Sequence, residues 1–307
     1  MYNHEIKERF LSENIGEKNE KSCIAKFDDI GVYELEINKD FSEMSIEEAK
    51  RAMQEAHVST YGSAFALLSQ LRNYVKWCKE NTVFSCVNDN LVSLEVGDIN
   101  ISEDMRQTVF KDEQDLIKEL TSVRTLDDGY YDVIVMVFSW LGITQNKLLS
   151  VKINDVDFEN MIVLCEGERI QFSESILEIL QRYSKTKRST RMYKNGLREV
   201  FRDDSYDCFI RKFSSPKQLG KILTKSQIQD SVYDLNTQYM DLGHKSRFTI
   251  SNVYTSGALY RVAQLEKSGV DVFLMKNKKV VSEAFGDGSA LHEILWLYKN
   301  YKAAFNV

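Results

Sequence analysis

Proline is almost absent from this sequence, in which Pro216 is the one proline among 307 residues. Glycine is also modest in number, at 14 residues. Disordered and fibrous chains are rich in one or both of these residues, so the composition favours a folded globular protein. A chain of this length is long for a single core, and we therefore expect two domains.

The cysteines are few and scattered. There are five of them, with no CxxC pair, so neither a disulfide framework nor a cysteine-based zinc site is indicated. The four histidines lie far apart in the sequence, and none has a second ligand type at metal-binding spacing. We expect no metal site and no cofactor.

Long apolar segments are missing as well. The longest, from Val133 to Ile143, is interrupted by Ser139 and Gly142 and is too short to span a bilayer. The polar N-terminal segment does not have the pattern of a signal peptide. These features predict a soluble cytoplasmic protein with no membrane partner.

The chain also lacks the net positive charge that is typical of nucleic-acid-binding proteins, since its formal charge is −6. The distribution, however, is uneven. Between Lys185 and Lys225 there are twelve Lys or Arg and four Asp or Glu, a local charge of +8 that leaves −14 for the remainder. A basic segment on an acidic body can hold a DNA backbone, and it can equally be a solvated surface.

The first half of the chain has the periodicity of helices. One helix is predicted near the N-terminus, and Ser45 and Glu48 have the spacing of a capping box at the start of another. An apolar stripe predicts a further helix that starts near Ser59. Periodicity fails in the polar segment 86–104, which we interpret as a linker. The pattern predicts a helical domain over residues 1–85 and a second domain over residues 105–307.

The second domain is predicted to be mixed. Helical periodicity returns over Gln107–Leu120 and in the apolar segment that ends at Gly142, a residue typical of a helix C-terminus. A short apolar strand, Met161 to Cys165, then precedes the tight turn Glu166-Gly167-Glu168. Arg169 to Phe172 is expected to pair back as a hairpin. The remaining sequence is predicted to be mostly helix and loop.

A further signal lies in three segments: STYGSAFALLSQLRNYVKWCKEN in the first domain, GITQNKLLSVKINDVD from Gly142, and HKSRFTISNVYTSG from His244. They resemble, in this order, the core-binding helix, the GLRxxELLxLxxxDID segment and the HxxRHT box of the tyrosine recombinases, or phage integrases. The segment from Phe285 is similar to the family's LGH ending. The resemblance covers nearly the whole chain and implies a mainly α fold with a small β-hairpin or sheet. It further implies a helical, SAM-like core-binding domain followed by an α+β domain like the recombinase catalytic domain.

The catalytic residues of the family are only partly present. Thr144 occupies the position of the first catalytic arginine, Lys147 that of its acidic partner, and Asp287 that of a histidine or tryptophan. Tyr298 and Tyr301 lie close to the position of the nucleophile but out of register. Cleavage of a phosphodiester builds negative charge that cations must stabilise, and losing one such donor costs about 10²–10³ in rate. We therefore expect a protein that does not cut DNA.

The resemblance also marks residues that would hold DNA. Arg247 and His244 keep the family's HxxR pair, although an ion pair between Arg247 and a carboxylate such as Asp157 or Asp241 is the structural alternative. For the lysines and arginines on helices, a solvated position is equally expected. The candidate DNA-binding residues are Arg247, His244, Lys245, Lys147, Arg72, Lys76, Arg188 and Arg191.

Together these features predict a sequence-specific, double-stranded DNA-binding regulator with an inactive recombinase fold. It is similar in kind to the lysogeny-maintaining repressors of SPbeta-like phages, which would place it on the nucleoid of a bacterial host. A regulatory protein, or a second copy bound through the C-terminal helix, is a further candidate partner. The alternative is an active, divergent recombinase that uses Tyr298 or Tyr301 with Arg169 as a recruited arginine. A third hypothesis, suited to the negative net charge, is a protein-interaction module without DNA affinity.

Overall fold

The computed structural model describes residues 1–58, 60–193, 196–216, 219–220, 222–286 and 288–307. Over these residues the chain forms twelve α-helices and two three-stranded antiparallel sheets, which confirms the predicted mainly α fold class. The chain divides into two compact units. The N-terminal unit comprises Met1–Met105 with Lys299–Asn306, and the C-terminal unit comprises Arg106–Tyr298 with Val307.

The N-terminal unit is helical, as predicted. Its helices are α1 (His4–Asn14), α2 (Glu17–Ile37), α3 (Ile46–Glu55) and α4 (Tyr61–Glu80). The capping box at α3 is confirmed, because the Glu48 N–H donates to Ser45 Oγ over 3.3 Å and the Ser45 N–H donates to Glu48 Oε2 over 2.7 Å. Thr60 caps α4. Ser59, where that helix was expected to start, lies outside the described residues.

The core of the N-terminal unit combines aromatic rings with a buried ion pair. Phe10, Phe27 and Tyr74 pack edge to face, with ring centroids between 5.2 and 6.1 Å apart. Lys7 and Glu34, both fully buried, form an ion pair beside these rings, and the Lys7 ammonium lies 5.2 Å from the Phe27 centroid. Because two opposite charges compensate each other here, neither is left unpaired in the core.

Residues 86–104, which we expected to form a linker, instead pack within the N-terminal unit. Short 3-10 helices turn the chain here. Leu91, Ile99 and Ile101 are at most 2 % exposed. Single apolar residues separated by polar ones give no helical or strand periodicity, so the sequence pattern did not predict that these positions are buried. The boundary between the two units lies just after this segment, at Met105.

The C-terminal unit contains most of the remaining helices. They are α6 (Glu113–Val123), α7 (Tyr131–Trp140), α8 (Glu174–Lys185), α9 (Lys225–Asp241), α10 (Ile250–Lys267) and α11 (Lys278–Phe285), while α5 (Ser102–Thr108) and α12 (Leu291–Phe305) include residues of both units. The single helix predicted over Gln107–Leu120 is wrong. The chain breaks between α5 and α6, because Asp112 caps α6 by accepting a hydrogen bond from the Asp115 N–H.

The first sheet contains the predicted hairpin. Its strands are β1 (Val156–Asp157), β2 (Ile162–Cys165) and β3 (Glu168–Gln171), in that order. Cys165 pairs with Glu168 across the turn. Glu166 and Gly167 have φ angles of 50° and 86°, and this left-handed pair of residues is what a two-residue hairpin turn of type I′ requires.

The second sheet was not predicted. Its strands are β4 (Arg188–Tyr193), β5 (Gly196–Arg202) and β6 (Phe213–Ser214). β4 pairs with β5 along its whole length, whereas β6 pairs with Phe201 and Arg202 alone. Among the strand residues whose burial is described, Ser189, Val200 and Ser214 are buried, so the alternation of apolar and polar residues that marks a strand is missing here.

Helices α7 and α10 form the centre of the C-terminal unit. Every residue of α7 from Asp132 to Trp140 is buried. A Cβ added to Gly257 of α10 would lie 2.0 Å from the carbonyl oxygen of Trp140, so the close approach of the two helices requires glycine. Gly142, with φ of 95°, ends α7 as predicted. Within the described part of the chain, no helix combines the length and apolarity needed to cross a membrane.

Candidate functional site

Arg247 is held inside the C-terminal unit. Its guanidinium donates to the Val109 carbonyl and, over 2.8 Å, to Asp115 Oδ2, and it lies 4.2 Å from the centroid of the Phe110 ring. The side chain is 11 % exposed, and its Nε is buried without a hydrogen-bond partner. An ion pair was the structural alternative for this arginine. The structure shows such a pair, with Asp115 in place of the two carboxylates named above.

The loop around Arg247 is fixed by the residue that follows it. Phe248 is fully buried, packs with its ring centroid 5.2 Å from that of Phe110, and donates its N–H to Asn236 Oδ1 over 3.0 Å. Thr249 then caps α10, because its hydroxyl accepts from the Asn252 N–H. A phenylalanine thus anchors the loop to the core at the position where the HxxRHT box has a second histidine.

His244 and Lys245, in the same loop, are exposed. The His244 ring stacks on Tyr239 with a centroid distance of 4.4 Å and an interplanar angle of 7°. Stacking restricts the orientation of the imidazole, while the residue remains exposed. The two residues are therefore accessible to an external partner, in contrast to Arg247.

Thr144 and Lys147 lie in the turn that follows α7. The Thr144 carbonyl accepts from the Lys147 N–H over 2.8 Å. The Lys147 ammonium pairs with Glu166 Oε2 at 3.0 Å, and this hydrogen bond and charge raise the pKa of Lys147. Glu166 belongs to the β2–β3 turn, so this ion pair connects the β2–β3 turn to the turn after α7. The positive charge of Lys147 is neutralised locally, and Thr144 supplies none.

Neither candidate nucleophile is accessible. Tyr298 and Tyr301 are each 1 % exposed. The Tyr298 hydroxyl donates to Glu266 Oε2 over 2.7 Å. The Tyr301 ring packs edge to face on Phe305, with centroids 5.1 Å apart. A nucleophile must reach an external phosphate, so both tyrosines have the environment of core residues. Asp287 lies outside the described residues.

The other candidates differ in accessibility. In the N-terminal unit, the Arg72 guanidinium donates to the Leu94 carbonyl, whereas Lys76 is exposed. In the C-terminal unit, Arg188 is 78 % exposed and lies 3.7 Å from a Glu199 carboxylate oxygen. For Arg191 the structure describes only the backbone position in β4.

Arg261 is a half-buried cation that the sequence analysis did not single out. Arg261 of α10 donates to the carbonyls of Trp140 and Ala284, over 2.7 and 2.8 Å, at the C-terminal ends of α7 and α11. Burial lowers the pKa of Arg261. The partial negative charges of the helix ends stabilise the guanidinium. A single arginine in a helical pattern gives no signal for this role, since its partners are backbone atoms distant in sequence.

The C-terminal unit also has an open cavity of about 990 Å³, which is lined by β3 and α11 residues. Its charged lining residues are Glu168, Arg169, Lys276, Lys278, Lys279 and Glu283. Four of these residues are cations and two are carboxylates, so the charged lining carries a net positive charge. Among the described residues there is no cluster of histidine, cysteine and carboxylate side chains that could hold a metal ion.

The segment that forms helices α1 to α4 matches a known family model. Residues 1–80 match the family model of the MrpR N-terminal core-binding domain. The match covers α1 to α4 and confirms that this part of the chain resembles a core-binding domain, as the sequence predicted. No curated protein matches the sequence.

Solved recombinase structures are similar to the whole chain at low identity. The XerA recombinase is 15 % identical, with a TM-score of 0.41, over 98 % of this chain and 97 % of that protein. The Tn1549 transposon integrase, in complex with circular intermediate DNA, is 13 % identical, with a TM-score of 0.40, over 84 % of this chain and 82 % of that protein.

Proposed function

We propose that this protein is a sequence-specific, double-stranded DNA-binding regulator that does not cut DNA. The proposal depends on one observation: the segment that matches a core-binding domain, residues 1–80, precedes a unit in which the described catalytic positions are uncharged, paired or buried. The match supports a DNA partner. The absence of charge on Thr144 and the burial of Tyr298 and Tyr301 support the loss of strand cleavage.

The contacts of three residues support the loss of cleavage. Thr144 cannot provide the bidentate cation that stabilises a phosphorane-like transition state. Arg247 already donates to Asp115 and to a backbone carbonyl, so a phosphate would have to displace a charge-assisted bond of 2.8 Å. Tyr298 is buried with its hydroxyl bound to a carboxylate. These three observations support a protein that does not attack DNA.

Charge supports the DNA partner. The +8 segment between Lys185 and Lys225 can neutralise phosphates, while the acidic remainder limits binding to other polyanions. As a repressor-like protein of phage lysogeny, it would act by occupying its site and blocking transcription on the bacterial nucleoid. A regulatory protein that releases it from DNA is the partner that such a role requires.

The first test is binding. Wild-type protein is incubated with fragments of host genomic DNA, and the enriched duplex is titrated by fluorescence anisotropy at several salt concentrations. We expect a Kd of about 10⁻⁸–10⁻¹¹ M for the enriched site. The logarithm of the affinity should fall linearly with the logarithm of the salt concentration. A protein that enriches no duplex would contradict the proposal and favour an interaction module.

The second test is cleavage. A nicked suicide duplex that carries the enriched site is incubated with wild-type protein and with the Tyr298→Phe and Tyr301→Phe variants. We expect no covalent protein–DNA adduct from any of them and similar affinity from all three. An adduct that disappears in one phenylalanine variant would show that the protein is an active, divergent recombinase.

A further inference from the structure

The open cavity between β3 and α11 continues into a second, smaller cavity. Their volumes are about 990 and 390 Å³. Both are lined by Glu168, Arg169, Ile170, Glu283 and Gly286, so they form one cleft, which we call the β3–α11 cleft. Its described lining residues all belong to the C-terminal unit. Sites for small-molecule ligands have volumes of about 300–1,000 Å³, so this cleft is large enough for a metabolite.

The outer end of the β3–α11 cleft is basic. Lys276, Lys278 and Lys279 line the larger cavity but not the smaller one, and all three are exposed. Lys279 lies 3.8 Å from a Glu283 carboxylate oxygen, whereas Lys276 and Lys278 form no ion pair with the described residues. Arg169, on the β3 wall, adds a fourth cation. An anionic group at this end would therefore meet positive charge from both walls.

The lysines also lie at an unfavourable place on their helix. Lys278 and Lys279 belong to the first turn of α11, which contains no acidic residue, and Lys276 lies two positions before that helix. The partial positive charge of a helix N-terminus disfavours cations and favours anions. A bound anion would offset this repulsion. The charge of the lining stays positive whatever the placement of Asp287, which lies outside the described residues.

The inner end of the β3–α11 cleft is aromatic and acidic. Tyr260, which is partly exposed, lines it and packs on Trp140 with ring centroids 5.4 Å apart. Glu113 lines it too, and its carboxylate accepts a hydrogen bond from the Ser173 hydroxyl. Arg261 already donates to two backbone carbonyls. This end suits a planar ring that carries hydrogen-bond donors, whereas the Glu113 carboxylate disfavours a phosphate.

We propose that the β3–α11 cleft binds a nucleotide, with its phosphates at Lys276 and Lys278 and its base beside Tyr260. A nucleotide combines the chemistries that suit the two ends, since its phosphates are anionic and its base is a planar ring. Lysine binds phosphate as a point charge, and stacking on an aromatic ring tolerates every base. The inference stands independently of the proposed DNA-binding function, because the cleft requires no duplex to be filled.

The first experiment measures binding to the full chain by isothermal titration in metal-free buffer. The probes are ATP, GTP, CTP and UTP, the four nucleosides without phosphate, and inorganic triphosphate. We expect at least one nucleotide to bind with micromolar affinity. Its nucleoside and inorganic triphosphate should each bind about tenfold more weakly or worse, since each lacks one of the two contacts. Inorganic triphosphate that binds as tightly as every nucleotide would show a plain anion site and overturn the inference.

Variants then locate the ligand. Lys276→Gln/Lys278→Gln should weaken nucleotide binding by about tenfold or more, since charge-assisted contacts of this size are lost. Lys118→Gln/Lys267→Gln removes two exposed cations elsewhere on the same unit. This matched control should bind within about twofold of wild type, because distant charges are screened. Tyr260→Leu should weaken nucleotide binding about tenfold while its affinity for inorganic triphosphate stays unchanged.

Melting curves show whether each variant is folded, and the two lysine variants change exposed residues alone. If Lys276→Gln/Lys278→Gln binds nucleotides as the control does, the β3–α11 cleft is not the site. A wild-type protein that binds none of the nucleotides also overturns the inference. In that case, weaker binding of Lys276→Gln/Lys278→Gln to random-sequence duplex DNA would assign these lysines to a DNA-binding surface.

Discussion

Arg247 directs its hydrogen bonds into the protein. In the HxxR pattern this position offers a cation to a phosphate, but here Asp115 and the Val109 carbonyl receive its donors and Phe110 stacks beneath it. The sequence favoured a DNA contact for Arg247, because its motif was intact. It could not reveal Asp115 as partner, since the two residues are 132 positions apart and only the tertiary fold brings them together.

We therefore predict that Arg247→Ala lowers stability more than it lowers DNA affinity. The substitution removes the charged donor to the Val109 carbonyl and to Asp115, which keeps a hydrogen bond from the Lys111 N–H. Charge-assisted bonds of this kind contribute about 1.5–3 kcal/mol. Thermal melting should show a clear decrease in Tm. The exposed neighbour serves as control, since Lys245→Ala should melt as wild type does. An unchanged Tm combined with a tenfold loss of specific binding would instead make Arg247 a phosphate contact.

At the scale of elements, local chemistry predicted the ends of helices and turns well. Ser45 and Glu48 form their capping box, Gly142 ends α7, and the Glu166-Gly167 turn joins β2 and β3. Such signals involve residues within four positions of each other. Strands β4 and β5 were missed because polar and charged residues such as Ser189, Arg191 and Arg198 interrupt the apolar ones, so no regular alternation is visible. Residues 86–104 were missed because their buried apolar residues stand singly between polar ones and show no periodicity, although they pack on α3 and α4.

The capping box gives α3 a pH dependence. Hydrogen bonds from Lys39 and Ser45 lower the pKa of Glu48 from 4.5 to about 2. A carboxyl with a depressed pKa in the folded state stabilises the fold above its unfolded pKa. That stability is lost as the pH falls from about 4.5 to about 2. Glu48→Gln should therefore be less stable than wild type near pH 7, by roughly 0.5–1 kcal/mol at this partly exposed position.

Urea unfolding at a series of pH values measures this difference. The gap between wild type and Glu48→Gln should narrow as the pH decreases through that interval. Glu47→Gln, one residue earlier and 86 % exposed, is the matched control and should show almost no gap. A gap that stays constant down to pH 2 would mean that the Glu48 carboxylate does not stabilise α3.

At the scale of the whole molecule, charge is separated along the chain. A +8 segment is set against a remainder of −14, so the protein is acidic overall while one segment is strongly basic. This separation was visible from composition alone. The presence of strands β4 and β5 within the basic segment was not visible, since it depends on strand pairing that the sequence pattern did not reveal.

The acidic remainder should suppress non-specific association. Asp230 and Asp234 are exposed on α9. We predict that Asp230→Asn/Asp234→Asn increases the association rate with unselected duplex DNA several-fold at 50 mM salt, because a repulsive field has been reduced. The gain should disappear near 300 mM salt, where the Debye length is below about 8 Å. Stopped-flow fluorescence measures both rates, and a gain that persists at high salt would indicate a new direct contact instead.

Arg261 should make one part of the C-terminal unit resistant to acid. The acceptors of its guanidinium are backbone carbonyls of Trp140 and Ala284, which do not titrate. Acid protonates the carboxylate partners of ordinary ion pairs and weakens these pairs. The hydrogen bonds from Arg261 to the ends of α7 and α11 therefore have no acceptor that acid protonates. In an acid-expanded state of the protein, these two helix ends should thus remain joined after the surrounding ion pairs have dissociated, and their amides should be among the last to exchange with solvent.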